Sequence, residues 1–493
     1  MKKLNIKAKN KIEEQRYRID KIYYSEWILA AAVGFLVFIS SQYIDLRSLT
    51  VWSTNVWDCL FSGNIRNLYM YSYQNVHNAA HQYLGSELMS ILPLSIWNIP
   101  IWISQTFFHH EISESAIMLG WSKSFFVALS VVMVIISKKL AYIVTQDHDK
   151  SMIAAFLSGS SVFLYISVCF AGQNDIVMIV PSLIAIYYLF NNDEKKFLIW
   201  SALTISIKPF FLLPFVAILI LYEKNILFII AKAAIGVSGV FVQKLLFMGA
   251  PLYAESMENG PSKRMFNNMF PGNIPTAFGY ISLFAVALVL IYLLSYTRPF
   301  SKKTIAEEPQ KFAKYAVYLV TLTYMSYVMF SPFSYYRIAV IVPFLYIVIV
   351  QNSKMYFYNL IFDVVFSFSL VTKIMLRSSN IFKVDFVNGS ILARTFGYDV
   401  KAAQSGFLEG VDSYLYATNE LINHLQSMFT GLTVICLGLL LFFNRPDKDS
   451  EFKVSGEKNC RGLLWAHALI IAPFILLTIW LFANAPVKEF YIR

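Results

Sequence analysis

The sequence predicts an all-α polytopic membrane protein, on three observations: apolar excess, scarcity of charge, and recurrent runs of bilayer-spanning length. Hydrophobic residues make up 57% of the 493-residue chain and charged residues only 14%, more apolar and less charged than a soluble fold needs. Runs such as Ile117–Ile136, Ser151–Phe170, Ile226–Met248, Ile274–Leu294 and Leu463–Phe482 approach the ~20 residues that cross a bilayer as helix. Because a spanning segment must satisfy its own backbone polar groups, such runs become helices. They are apolar all round rather than alternating, which argues against a β-barrel. About 11–13 crossings are expected from the pattern.

Met1–Lys21 is polar and basic, and no small-residue cleavage site follows the first apolar run, so Trp27–Tyr43 reads as a retained anchor rather than a signal peptide. The four cysteines form no CxxC pair, which disfavours a zinc ribbon or disulfide framework. A net charge of +11 could suggest nucleic acid, but the distribution of basic residues about the membrane accounts for it. With the basic N-terminus (1–26) in the cytoplasm, inside segments collect roughly 25 Lys/Arg and outside segments roughly 11. The expected location is a bacterial plasma membrane. Richness in Lys, Asn and Ile hints at a low-GC bacterium.

One stretch breaks the alternation. Phe197–Tyr222 is too short for two spans, yet both flanks belong inside. It is therefore expected to be a re-entrant hairpin broken at Lys208-Pro209, where proline removes a helix donor and disfavours helix in the residue before it. Three segments are long and external: 44–115, 250–273 and 377–424. The first holds apolar-aromatic stretches, Val51–Phe61 and Leu88–Phe108, suited to helices lying in the headgroup plane.

Charges at membrane depth are costly and point to function. On this threading Lys123, Lys208, Lys244, Arg337, Lys373 and Arg377 all fall toward the outer leaflet. Lys373 and Arg377, at i and i+4, share a helix face. Such cations suit a lipid phosphate, although each could also extend to the headgroups. Carboxylates gather on the same side: Asp45 just after the first helix, then Asp58, Glu87, Glu111 and Glu114, with Asp175 at a turn. A sugar hydroxyl is a poor nucleophile, so a carboxylate must take its proton during attack. Asp45 is the candidate base, with a helix cap as its alternative role. His77 and His81 lie on one helical face with Glu87 beyond, a loose metal spacing without the HExxH glutamate, so sugar hydrogen bonding is the stronger reading. Walker A, dinucleotide glycine, GxSxG and DxD patterns are missing, which leaves a nucleotide-sugar donor without a cradle.

AGQND at Ala171–Asp175, a following helix, and SIKPFFLLP at Ser206–Pro214 together resemble the GT-C superfamily of polyprenyl-phosphate-sugar-dependent glycosyltransferases, nearest to bacterial mannosyltransferase-like members. The acidic residue after the first helix and SPFSYYRIAVIVPF at Ser331–Phe344 agree. The likeness covers roughly residues 27–351, read as the catalytic module; 352–493 reads as generic C-terminal helices. The resemblance implies a catalytic Asp45, with Gln173, Asp175, Lys208 and Arg337 lining the donor pocket; the charge reading adds Lys373 and Arg377 to the phosphate site, and Asn174 is expected to bind substrate. Asp58, His77, His81 and Glu87 would contact substrate. The family's paired acidic motif is a single Asp45 here, Asp58 being too far along.

The function these readings imply is inverting transfer of a hexose from a polyprenyl (undecaprenyl) phosphate to an outside glycan or envelope polymer. No metal or other cofactor is required. The alternatives are a polymerase or ligase acting on lipid diphosphates, and a lipid-linked sugar flippase; the missing internal repeat weighs against the last.

Overall fold

A computed structural model of the chain describes residues 21–43, 45–75, 83–110, 115–259, 269–298, 300, 302–331, 335–377, 387–400, 419–446 and 460–487. It is overwhelmingly helical. The helices that carry the argument are α1 (Tyr24–Ser40), α2 (Asp45–Phe61), α3 (Leu88–Trp97), α4 (Ala116–Thr145), α5 (His148–Gly159), α6 (Asp175–Phe190), α7 (Glu194–Ile207), α8 (Leu212–Tyr222), α9 (Ile226–Phe247), α10 (Leu283–Thr297), α11 (Pro309–Phe330), α12 (Val342–Gln351), α13 (Tyr356–Arg377), α14 (Asn419–Phe443), α15 (Arg461–Leu469) and α16 (Ala472–Asn484).

Among the described residues, five helices are long and apolar enough to cross a membrane, or up to seven if each bent pair is one span. Five further apolar helices of 10–17 residues are shorter, among them α3, α6, α10 and α12. The span His148–Phe170 is almost wholly buried, whereas α9 is mostly exposed along its apolar surface. The first is therefore a central element and the second a peripheral one whose exposed apolar side fits lipid. One hydrophobic core runs from Ala30 to Phe474, so the C-terminal helices share the core of the preceding segment. A small separate cluster of Val387, Ala393, Val400 and Leu481 packs part of the 377–424 segment against α16.

The break at Lys208-Pro209 is present. Helix α7 ends at Ile207, Lys208 is extended at φ −150° and ψ 129°, and Pro209 opens a short 3-10 turn before α8. The two helices fold back on each other, since the Tyr222 hydroxyl at the end of α8 donates to Glu194 at the start of α7 at 2.8 Å. Lys232 of α9 ties the same end to Glu194 at 2.6 Å and Glu223 at 2.9 Å. At ~1.5 Å per residue, 14-residue α7 puts Lys208 ~21 Å from that end. The opposite wall is α9, where a Cβ on Gly239 would lie 2.0 Å from Ser206 Oγ. Only glycine lets the end of α7 come this close.

Two apolar runs differ from expectation. Ile274–Leu294 is not one helix: Ile274–Thr276 and Gly279–Ile281 form an antiparallel two-stranded hairpin, and α10 begins at Leu283. Gly279 at φ +120° takes a backbone conformation that side-chain-bearing residues rarely adopt. Ser282 then caps α10 by accepting from the Ala285 amide at 3.4 Å. Ser151–Phe170 is also interrupted, since α5 stops at Gly159 and Tyr165–Phe170 winds as a π-helix.

The described residues of the 44–115 segment are held to the bundle by buried polar contacts. Asn98 donates to Ser53 at 2.9 Å and to Ser122 at 2.6 Å, and Thr50 also reaches Ser122 at 2.9 Å. Trp97 and Trp121 exchange indole-to-carbonyl bonds at 3.1 and 2.9 Å. These contacts fasten α2 and α3 to α4, which fixes the position of Asp45 at the first turn of α2.

Candidate functional site

The site begins with the π-helix. Its wide turn is closed by Ala171 N–H donating to Ile166 O at 2.9 Å and Gln173 N–H to Ser167 O at 2.9 Å. Such wide turns are rare and concentrate at functional positions. The chain reverses through Gly172 at φ +56°, where an added Cβ would meet Leu46 Cδ1 at 3.1 Å. Glycine here therefore does two things: it takes the left-handed conformation, and it lets the 171–175 turn press against the residue after Asp45.

That approach joins two distant parts of the sequence. Gln173 Nε2 donates to Asp45 Oδ2 at 2.8 Å, orienting the carboxylate, which also sits in the first turn of a helix, where negative charge is favoured. Two residues on, Asp175 opens α6 and its Oδ1 accepts from Lys208 Nζ at 2.5 Å. Asp175 is 2% exposed and Lys208 19%, so the lysine is the member of the pair that a ligand meets first. Asp175 Oδ2 is buried with no hydrogen-bond partner among the described residues. Arg337, on the 3-10 turn Tyr335–Val340, and Asp45 both act electrostatically on Lys208. That turn packs against α6 and the π-helix.

The structure thus brings together Asp45, Gln173, Asp175, Lys208 and Arg337, drawn from four separate segments, with Asn174 buried between two of them. Two carboxylates face two cations, so the cluster is close to neutral overall. It can accept a proton at Asp45 and attract an anion at Lys208 and Arg337.

Other expected site residues lie elsewhere. Asp58 is on α2 with Asp45, but 13 residues along at ~1.5 Å each places it ~20 Å away. Its oxygens accept from Trp102 at 2.7 Å and Tyr71 at 3.2 Å, so it fastens the short helices of the 44–115 segment to α2. Lys123 is also structural: its ammonium donates to Phe38 O at 2.7 Å and to Ser41 O, capping the carbonyl end of α1. Lys373 lies near the end of α13, and Arg377 closes that helix with its side chain outside the described residues. His77, His81, Glu111 and Glu114 are outside the described residues. No three His, Cys, Asp or Glu groups come together as a metal site among the described residues.

Glu87 precedes α3 and accepts from the Tyr253 hydroxyl at 3.2 and 3.3 Å. Burial holds its carboxyl above the ordinary value of 4.5, with Tyr253 and Lys244 acting in the opposite sense. A raised folded value means the stability from this group is fully present below the ordinary value and is lost as pH rises through the folded one. Glu87→Gln, which never ionises, is therefore expected to melt higher than the parent at pH 7 and no higher at pH 4. A melting difference that is the same at both pH values would contradict this.

Sequence reasoning missed one buried pair altogether. Asp363 of α13 and His467 of α15, both fully buried, meet at 2.6 Å, and the other imidazole nitrogen faces Leu157 O at 3.1 Å. Both residues are ionisable groups inside apolar runs, the signal that singled out the lysines earlier. No protein-family model matches the chain, and no curated protein matches it.

Proposed function

We propose that this chain is a membrane sugar transferase that moves a hexose from a polyprenyl phosphate carrier to a hydroxyl of an extracytoplasmic glycan or envelope polymer. The observation that supports it is the meeting of the Asp45–Gln173 and Asp175–Lys208 pairs beside Arg337. A base and an anion-attracting pair set among apolar helices suit a donor whose phosphate is tethered to lipid. In this reading the shorter apolar helices also cross, giving about 11–13 spans. The N-terminus is cytoplasmic, and α7 and α8 enter from the inside to turn back at Lys208 near outer-leaflet depth.

The step is a single displacement. The acceptor oxygen forms a bond to the anomeric carbon as the bond from that carbon to the phosphate oxygen breaks, with inversion. The acceptor's proton passes to Asp45, and the electron pair leaves on polyprenyl phosphate. Negative charge grows on that phosphate in the transition state, where Lys208 and Arg337, fixed in a water-poor setting, stabilise it. Gln173 keeps the Asp45 carboxylate aimed, which matters because misplacement of a base by about 1 Å costs rate.

The test uses purified full-length protein, radiolabelled polyprenyl-phosphate hexoses and a cell-envelope acceptor fraction. Label should leave the lipid, and polyprenyl phosphate should accumulate, with one hexose of the panel. Turnover of lipid-diphosphate glycans alone would point to the polymerase reading instead. Label that stays on the lipid with every hexose, while the protein binds the lipid, would sink the enzyme reading.

A further inference from the structure

The Lys208–Asp175 pair has a property that a simple phosphate clamp would lack: its cation is already matched by a carboxylate. Lys208 donates to Asp175 Oδ1 at 2.5 Å, so an arriving phosphate meets an ammonium whose charge is largely offset. A lysine carries three donors, and one is engaged here. The carboxylate behind it keeps a second oxygen, Oδ2, buried and without a partner among the described residues. Buried acceptors in folded proteins are almost always satisfied, by the protein, by ordered water or by a ligand, and in a site that holds a substrate the third source is at hand.

A phosphate monoester that is ionised can supply no such donor, whereas a hexose carries several hydroxyls. Resting on the transferase reading above, we propose that Asp175 is the residue that distinguishes the sugar-loaded lipid from the spent carrier. A hexose hydroxyl donates to Asp175 Oδ2, and this draws negative charge away from Lys208 and strengthens its hold on the phosphate of the same molecule. After transfer the hydroxyl donor has gone with the sugar. The carboxylate then reclaims Lys208, and polyprenyl phosphate is left weakly held and able to leave. The glycine turn and the π-helix matter to this because they place Asp175 at the start of α6, directly behind the lysine. Asn174, also buried, occupies the position before it.

The selectivity follows from magnitudes. A hydrogen bond to an ionised group is strong enough to favour the ligand that makes it by about tenfold or more. Removing the carboxylate while keeping its shape should abolish that separation and also release Lys208 from its competitor.

Binding of a short-chain polyprenyl phosphate and of its hexosyl ester is measured on the purified full-length protein and on Asp175→Asn. The parent should bind the hexosyl ester about tenfold more tightly than the bare phosphate. In Asp175→Asn the two affinities should converge, with the bare phosphate bound more tightly than by the parent. An unchanged ratio in the variant, or an equal loss for both ligands, would overturn the proposal, the second because it would make Asp175 only a prop for Lys208. If Asp175→Asn does not fold, the parent alone decides with singly deoxygenated hexosyl esters: one position should lose the advantage, and a series in which none does overturns the proposal. Failure of the parent to bind either lipid would overturn the transferase reading itself, a result distinct from loss of selectivity alone.

Discussion

Asp45→Asn is expected to lower the rate of hexose transfer by about a thousandfold, inside the 10²–10⁴ range that a positioned base contributes, while binding of the hexosyl lipid changes by no more than a few-fold. The substitution is nearly isosteric, and its carbonyl oxygen can still accept the Gln173 amide that now reaches Asp45 Oδ2 at 2.8 Å. What the amide lacks is the capacity to take a proton. A loss confined to the chemical step, with KM steady, is the signature of an interaction made only in the transition state. Loss of lipid binding would instead place Asp45 among the groups that hold the donor. Full activity would remove it from the mechanism.

The contrast with Lys208 sharpens the expectation. Lys208 is paired with Asp175 and lies under the influence of both Arg337 and Asp45. Its replacement should weaken lipid binding and transfer together. The roles proposed for Asp45 and Lys208 are thus separable by measurement even though four segments bring the cluster to one place.

Some of this arrangement was legible in the sequence and some was not, for identifiable reasons. The break at Lys208-Pro209 followed from proline sterics, which are local and admit few alternatives. The juxtaposition of Gln173, Asp175 and Lys208 came from resemblance, because nothing local states that residues 33 apart will touch. The role of Lys123 was not legible, because an apolar run shows that a charge is buried but not that backbone carbonyls of α1 await it. Asp58 was placed with substrate by its position in an external segment, whereas helix rise carries it to the far end of α2. The π-helix at Tyr165–Phe170 has no residue code of its own. It arises where the chain must reach the turn at Gly172, a tertiary demand. The Asp363–His467 pair spans 104 positions and left no local trace beyond two ionisable letters among apolar ones.

That pair carries the largest expected effect on stability. Both imidazole nitrogens face acceptors, Asp363 Oδ2 at 2.6 Å and Leu157 O at 3.1 Å. The two side chains form a polar contact in a low-dielectric interior, where each depends on the other for its partner. The pair clamps α13 and α15 to the end of α5, just before the chain turns through Ser161, which receives the Tyr346 hydroxyl at 3.2 Å, toward the π-helix.

Removing one partner strands the other. His467→Leu should therefore cost about 3–5 kcal/mol, the penalty for breaking a buried pair from one side. Asp363→Leu combined with His467→Leu should recover most of that loss, because a buried pair exchanged for apolar side chains is often near neutral. The four buried cysteines, Cys59, Cys169, Cys436 and Cys460, provide a native reporter, since a thiol-reactive dye responds as they become exposed on unfolding. A double variant melting well above the His467→Leu single would establish that the two side chains act as one unit. Losses that simply add would mean that each side chain contributes by packing alone, and the contact between them would have no part in holding the C-terminal helices to the segment that leads into the site.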